Sequence, residues 1–272
     1  MPPTNDWSDD LQLAYRLADE ADAVTLDRFR SLDLVVETKP DLTPVSDADR
    51  AAEQTLRATL QRERPEDAVL GEEFGHAGDA DRRWIVDPID GTKNYVRGVP
   101  VWSTLIALTV HDEVVVGVVS APALGMRWWA ARGHGAWTGS SLSHARRLHV
   151  SKVGKLADAS LSFSEYADPA WRTTGTHDGF HTLLGTAWRT RAYGDFWSHM
   201  LVAEGAVDIA VEPELGAWDM AALVPIVEEA GGRITALDGS GPLSGGNAVS
   251  TNGLLHDDVL STLAAPGDGA HG

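Results

Sequence analysis

The feature that most constrains this chain is the segment of residues 84–95, in which apolar residues run directly into acids. Residues 84–86 are large and apolar, and they predict a buried strand that ends at Asp87. Pro88 follows, and we expect it to end the strand because proline cannot donate a hydrogen bond to a sheet. The segment therefore predicts a carboxylate fixed at the end of a buried strand.

A second acid and a turn follow within the same segment. Asp90 comes three residues after Asp87, and Gly91 and Thr92 open a turn with free backbone amides. Two carboxylates on a rigid bend suit a hard cation, which prefers oxygen ligands, and the amides could hold a phosphate. Taken alone, D-x-x-D-G is more typical of an ordinary Asp-Gly turn whose acids are solvated. The rest of the chain decides between these interpretations.

Charge and composition exclude several functional classes. The formal charge is −18 and the pI is about 4.8, which argues against nucleic acid or an anionic membrane as a partner. The absence of cysteine excludes disulfides, thiolate catalysis and thiolate-bound zinc. No apolar run approaches the roughly 18 residues of a membrane span, and the first residues do not resemble a secretory signal. We expect a soluble, cytoplasmic protein.

Periodicity predicts mixed α and β structure around more than one sheet. Helical spacing covers residues 8–29, and a helix over residues 218–230 is closed by two glycines. We expect one domain over residues 8–264, without a linker. It is predicted to have two lobes. The first, over about 8–150, would bind metal, and the second covers about 151–264. Residues 265–272 are expected to form a frayed tail.

Three further acids stand near predicted element ends. Asp47 follows Ser46, an expected helix cap, Glu72 follows a short apolar run, and Asp219 begins the later helix. Helix caps and dipole-complementing surface acids are the ordinary alternatives for Asp47 and Asp219. If the acids meet, an all-oxygen ligand set indicates Mg²⁺, with Mn²⁺ as an alternative.

At these residues a family resemblance becomes clear. Residues 71–73, 84–95 and 218–232 resemble the signatures of the inositol monophosphatase family, and the similarity runs over residues 11–263. The resemblance implies a five-layered αβαβα sandwich of the inositol monophosphatase and fructose-bisphosphatase type. It also implies a magnesium-dependent, lithium-sensitive phosphomonoesterase that acts on a small phosphate ester and forms a homodimer.

The resemblance also implies the metal ligands, for up to three Mg²⁺ ions per active site. Glu72, Asp87 and the carbonyl of Ile89 would hold one ion, and Asp87, Asp90 and Asp219 would share a second. Glu72 would help to place a third, more loosely bound ion. Such ions neutralise the phosphate and activate the water that attacks it in line.

The implied catalytic and phosphate-binding residues lie in the same motifs. Gly91 and Thr92 would contact the phosphate, and Thr92 with Asp47 would orient the attacking water. Glu72 would take part in catalysis through the metal it places. No ligand position of the family pattern is missing, so we expect an active enzyme.

The substrate is predicted from residues 191–197. The Gly-Asp-aromatic sequence around Asp195 resembles the histidinol-phosphate phosphatases of the family, in their actinobacterial form, which serve histidine biosynthesis. An acid and an aromatic wall would suit the ammonium and imidazole of histidinol phosphate. Glu212 matches the family position that reaches the substrate beyond the phosphate. Asp195 could instead be the N-cap of the helix that follows.

Three alternatives remain open at this point. Within the same class, the chain could be an inositol-1-phosphatase or a phosphatase of broad sugar-phosphate specificity, and a nucleotide 3′-phosphatase is less expected. From a different class, it could be a catalytically silent scaffold that has kept the metal-binding fold.

Overall fold

The structure is a computed structural model that describes residues 6–40, 42–167 and 169–265. The helices are α1 (Ser8–Arg28), α2 (Asp47–Glu63), α3 (Thr92–Val96), α4 (Ala170–Thr173), α5 (His177–Thr186), α6 (Asp195–Ala203), α7 (Ala217–Ala221), α8 (Leu223–Glu229) and α9 (His256–Leu263). The strands are β1 (Val36–Thr38), β2 (Pro44–Ser46), β3 (Ala68–Gly71), β4 (Gly75–Ala77), β5 (Arg82–Asp90), β6 (Ser103–Val110), β7 (Glu113–Ala121), β8 (Met126–Ala131), β9 (Ala136–Ser141), β10 (His144–Arg147), β11 (Ser160–Phe163), β12 (Arg189–Arg191), β13 (Ile209–Glu212), β14 (Arg233–Thr235) and β15 (Ala248–Thr251).

These strands form two large sheets and one hairpin. The first sheet has eight strands in the order β10-β9-β8-β7-β6-β5-β3-β4, antiparallel except where β3 runs parallel to β5. The second has five strands in the order β12-β11-β13-β15-β14, and β11 runs parallel to both of its neighbours. Strands β1 and β2 pair with each other as the hairpin.

Helices cover both faces of each large sheet. The buried stripe of α1 includes Leu13 and Leu17, one helical turn apart, and packs with Leu56 of α2 against Trp84 and Ile106 of the eight-stranded sheet. Helices α6 and α8 fill the space on the opposite face of that sheet. Helices α5 and α9 pack on the outer face of the five-stranded sheet. The predicted five-layered αβαβα sandwich is confirmed.

Close packing of the middle layer depends on a glycine in β7. A Cβ atom at Gly117 would lie 2.3 Å from the carbonyl oxygen of Ala222, where α7 gives way to α8. Because that distance is far below contact, only glycine allows the helix to approach the sheet this closely. The approach matters because α7 brings Asp219 to the end of β5.

Two predicted boundaries are corrected by the structure. Strand β5 does not end at Pro88; it continues to Asp90, with a break in register between Asp87 and Asp90. Proline is accepted there because a bulge leaves one residue without a ladder hydrogen bond. The helix expected over residues 218–230 is divided into α7 and α8, and Pro225 lies in the first turn of α8, where no N–H donor is required.

Two expectations concern the ends of the chain and membranes. The frayed tail predicted at 265–272 lies, from residue 266 onward, outside the described residues. Within the part of the chain that the structure describes, none of the helices has the length and apolar character needed to cross a bilayer.

Candidate active site

A cavity of about 500 Å³ opens where β5 ends and where α3, α6 and α7 begin. The acids that line it are Glu72, Asp87, Asp90, Asp195, Glu214 and Asp219. Ile89, Gly91 and Thr92 contribute to the same wall. The structure thus brings most of the predicted site residues to one place.

Three carboxylates form the centre of this cavity. Oxygens of Asp87, Asp90 and Asp219 all lie within 4.8 Å of one another. Backbone amides fix each of them: Asp87 accepts from the N–H of Ile89 at 2.9 Å, and Asp90 accepts from the N–H of Phe196, at the start of α6, at 2.8 Å. Asp219 accepts from the N–H of Gly216 at 2.6 Å.

Burial and mutual repulsion make this cluster a candidate cation site. Burial raises the pKa values of Asp87 and Asp90 well above their usual range, and the negative charges of neighbouring acids raise them further. Burial likewise raises the pKa of Asp219 to about 7. Buried oxygen ligands that repel one another are stabilised by a hard divalent cation, so the donor set fits the predicted metal ion.

Glu72 lies at the edge of the cluster and pairs with a lysine. It follows β3, and its carboxylate accepts from the Lys39 ammonium at 2.7 Å, which also contacts Glu73 at 2.5 Å. Burial lowers the pKa of Lys39, but the bonds to Glu72 and Glu73 outweigh burial and raise it overall. Buried Glu53 supports this turn by accepting from the N–H of Glu73 at 2.7 Å. Sequence patterns gave no reason to select Lys39 or Glu53.

The turn after β5 places backbone and hydroxyl groups beside the acids. Gly91 has a left-handed backbone, with φ of 83°, and a Cβ atom there would lie 3.1 Å from the Val101 carbonyl and 3.3 Å from Asp195 Oδ2. Thr92 begins α3, and its hydroxyl lies 2.9 Å from the carbonyl oxygen of Ile89. Ile89 lines the cavity, so its carbonyl belongs to the turn that borders the acids.

The partner of Thr92 differs from the one expected. The Thr92 hydroxyl lies 3.3 Å from Oδ1 of Asp49, whereas the Asp47 carboxylate turns to Arg28, which donates to it at 2.7 Å. Asp49 is fully buried and also accepts from the N–H and hydroxyl of Ser46, as the third helical residue of a capping box. Burial raises the pKa of Asp49 to about 6. The structure therefore replaces Asp47 by Asp49 as the acid beside Thr92.

Asp195 lines the cavity and is not the N-cap of α6. Gly194 occupies the cap position, and Asp195 begins the helix with a left-handed φ of 48° and without a capping side-chain bond. Its Oδ2 accepts from the Asn94 amide at 3.2 Å, and its backbone N–H donates to Ser164 Oγ at 2.8 Å. Burial raises the pKa of Asp195. An uncommon backbone conformation thus directs a carboxylate to the cavity wall.

Glu212 reaches the same region from β13. Its buried carboxylate accepts from the Ser164 hydroxyl at 2.6 Å, so Ser164 joins Glu212 to the backbone of Asp195. Glu212 itself is not part of the cavity lining, which contains Glu214 in its place. Asn94 lies within the segment of residues 84–95, two residues after Thr92, but neither it nor Ser164 has a sequence pattern that marks its contact with this wall.

Comparison with known proteins adds evidence independent of the geometry. A family model described as the inositol monophosphatase family matches residues 6–265. The chain is 60% identical over 262 residues to a histidinol-phosphatase of Streptomyces coelicolor, covering 95% of this chain and 98% of the relative. It is 59% identical over 258 residues to a histidinol-phosphatase of Mycobacterium tuberculosis, covering 94% and 98%. A solved inositol monophosphatase from Zymomonas mobilis superposes with a TM-score of 0.82 at 32% identity, covering 95% and 99%.

Proposed function

The chain belongs to the inositol monophosphatase family and is a phosphatase, and from this premise we propose that it hydrolyses histidinol phosphate to histidinol and phosphate. The observation that carries this proposal is the partly buried carboxylate of Asp195 on the cavity wall. A phosphatase needs cations around the phosphate, whereas Asp195 adds a negative charge and does not cap a helix. This acid therefore requires a positively charged partner in the substrate. The ammonium of histidinol phosphate supplies one. The same activity in two relatives at 59–60% identity supports the choice.

The proposed metal is Mg²⁺, with Mn²⁺ as a substitute. Asp87, Asp90 and Asp219 would hold it together with Glu72 and the carbonyl of Ile89, and the predicted number is up to three ions. When bound, the metal supplies positive charge for the phosphate and lowers the pKa of the attacking water. Lys39 contacts Oε1 of Glu72, so this carboxylate would offer its second oxygen, Oε2, to the metal.

The chain's own groups orient the water and the phosphate. We assign Asp49 as the acceptor that aligns the Thr92 hydroxyl, so that the hydroxyl can in turn accept from the attacking water. The backbone amides of Gly91 and Thr92 stand at the start of α3, beside the acids, and are proposed to bind phosphate oxygens. Asp195 then binds the ammonium, and Glu212 holds that wall through Ser164.

The deciding experiment compares two esters on matched variants. Asp195→Asn keeps the size and the bond from Asn94 but removes the charge. A charge-assisted hydrogen bond contributes about 1.5–3 kcal/mol, so kcat/KM for histidinol phosphate should fall about ten- to a hundredfold. Hydrolysis of inositol 1-phosphate, which has no ammonium, should change little. Glu212→Gln should change the ratio between the two esters in the same direction.

The same measurements test the alternatives. If neither variant alters the ratio between the esters, the histidinol-phosphate proposal loses its basis, and inositol-1-phosphatase or broad sugar-phosphate activity becomes the better proposal. Metal-dependent release of phosphate from either ester excludes a silent scaffold. The expected homodimer rests on the family membership, and light scattering of the full chain measures it directly.

A further inference from the structure

A second cavity of about 590 Å³ lies apart from the acid cluster, between the eight-stranded sheet and α8. Its inner wall is apolar and includes Ile85 and Val224 from the core. Leu70, Val114 and Leu243 belong to the same wall; they pack against that core but are only partly buried. The cavity therefore offers apolar surface that the fold itself does not cover.

This cavity contacts every segment that carries a metal-ligating acid. In β5, Arg83, Ile85 and Asp87 alternate along one face, and the first two line the second cavity. Leu70 precedes Glu72 by two residues, and Ala217 precedes Asp219 by two. A molecule in the second cavity would thus touch β3, β5 and α7 two residues before Glu72, Asp87 and Asp219.

Arg83 is the available cation of this cavity. Its Nε atom is buried and has no hydrogen-bond partner among the residues that the structure describes. Its ion-pair contact is to Asp112, at 3.9 Å, and the Asp112 side chain is 95% exposed. A contact this long and this exposed to solvent contributes little binding energy, so the guanidinium can pair with another anion. Arg132, the other arginine in the lining, is already paired with Glu113.

From these observations we infer that the second cavity binds a small carboxylate with an apolar body, and that its occupancy alters the affinity of the metal site. The carboxylate pairs with Arg83, and the apolar body covers Leu70, Ile85, Val224 and Leu243. A singly charged group is required because the acids Asp112, Glu113 and Glu228 also line the cavity and would repel a phosphate dianion.

Binding is tested with 3-phenylpropionate and, as a matched neutral control, 3-phenylpropionamide. Isothermal titration calorimetry of the metal-free protein, without substrate, should show one saturable site for the acid. The dissociation constant should be at most roughly 10 mM, a limit set by the small size of the ligand. The amide should bind at least about tenfold more weakly. Arg83→Gln should weaken the acid about ten- to a hundredfold. Arg146 is an exposed arginine on β10. Arg146→Gln therefore serves as the matched control variant and should leave binding unchanged.

Two further measurements separate this cavity from the acid cluster. Leu243→Ala should weaken the acid and the amide alike, because it removes apolar contact and leaves Arg83 in place. The dissociation constant of Mg²⁺, titrated with and without saturating 3-phenylpropionate, should differ, and Mg²⁺ should shift the binding of the acid by the same factor.

The outcomes are distinct. Absence of saturable binding, or equal affinity in the wild type and in Arg83→Gln, overturns the site. Binding that leaves Mg²⁺ affinity unchanged overturns the coupling. Neither result depends on which ester is hydrolysed, because no substrate is present, so failure here leaves the proposed function untouched.

Discussion

Two neighbouring acids at the start of α2 are predicted to respond very differently to the same substitution. Asp49 accepts from Ser46 and stands 3.3 Å from the Thr92 hydroxyl, whereas Asp47 pairs with Arg28. Asp49→Asn and Asp47→Asn each remove one negative charge and keep the size of the side chain. The pair therefore isolates the role of the carboxylate beside Thr92.

The expected loss of activity follows from the assigned role. Removing a group that aligns the nucleophile or accepts its proton typically costs about 10²–10⁴ in rate, and Asp49→Asn should lower kcat by an amount in this range. Asp47→Asn breaks an ion pair whose side chains are 41% and 23% exposed. Such pairs contribute about 0–1 kcal/mol, so kcat should change by no more than about fivefold.

Asp49→Asn should lower kcat but increase the free energy of unfolding. Burial raises the pKa of Asp49 from 3.8 to about 6, so ionisation of this group at pH 7 costs the folded protein about 3 kcal/mol. Asparagine removes that cost but weakens the cap by about 0.5–2 kcal/mol. The metal-free Asp49→Asn variant should therefore be about 1–2.5 kcal/mol more stable than the wild type at pH 7.

Steady-state kinetics with saturating Mg²⁺ and urea unfolding in excess chelator test both parts. The acid limb of the wild-type pH–rate profile, near or below pH 6, should disappear in Asp49→Asn, because that variant has no carboxyl to protonate. If Asp47→Asn is the slower variant, or if the two are equally slow, the assignment of Asp49 is refuted.

Three further predictions concern the metal and the nucleophile. Excess chelator should abolish phosphate release and Mg²⁺ should restore it, with Asp90→Asn needing more Mg²⁺ for half-maximal rate; full turnover in chelator would contradict the mechanism. Thr92→Ala should lower kcat far more than Thr92→Ser, and equal losses would show that only the methyl group matters. Because the pKa of Asp219 is raised to about 7, the folded metal-free protein retains a proton there that the unfolded chain loses above about pH 4. Its unfolding free energy should fall as pH rises to about 7, by on the order of 4 kcal/mol, and Asp219→Asn should flatten this slope in urea titrations.

Local patterns in the sequence were sufficient for the main elements of the fold. Helix α1 follows from apolar residues at helical spacing, and the capping box of Ser46 and Asp49 marks the start of α2. The family and its five-layered sandwich followed from the resemblance of residues 71–73, 84–95 and 218–232 to the family's signatures. These features depend on residues close together in the chain, and so they could be predicted before any tertiary contact was known.

Side-chain direction could not be predicted in the same way. Asp47 and Asp49 lie in the same helical turn, but positions two apart point about 200° away from each other. Only the packing of α2 against α1 and β5 decides that Asp49 faces Thr92 and that Asp47 faces Arg28. The choice between the two acids is therefore a property of the packed core.

The substrate wall was also decided by tertiary structure. The sequence around Asp195 was compatible with a helix cap, and both functions use the same residue type. In the fold, Gly194 takes the cap position, and the N–H of Phe196 binds Asp90 from a different sheet layer. This long-range bond fixes the start of α6 and turns the Asp195 carboxylate into the cavity. The sequence determined which acids this protein has for its site, and the packing of β5, α2 and α6 decided which of them meet, because direction in space depends on contacts between distant segments.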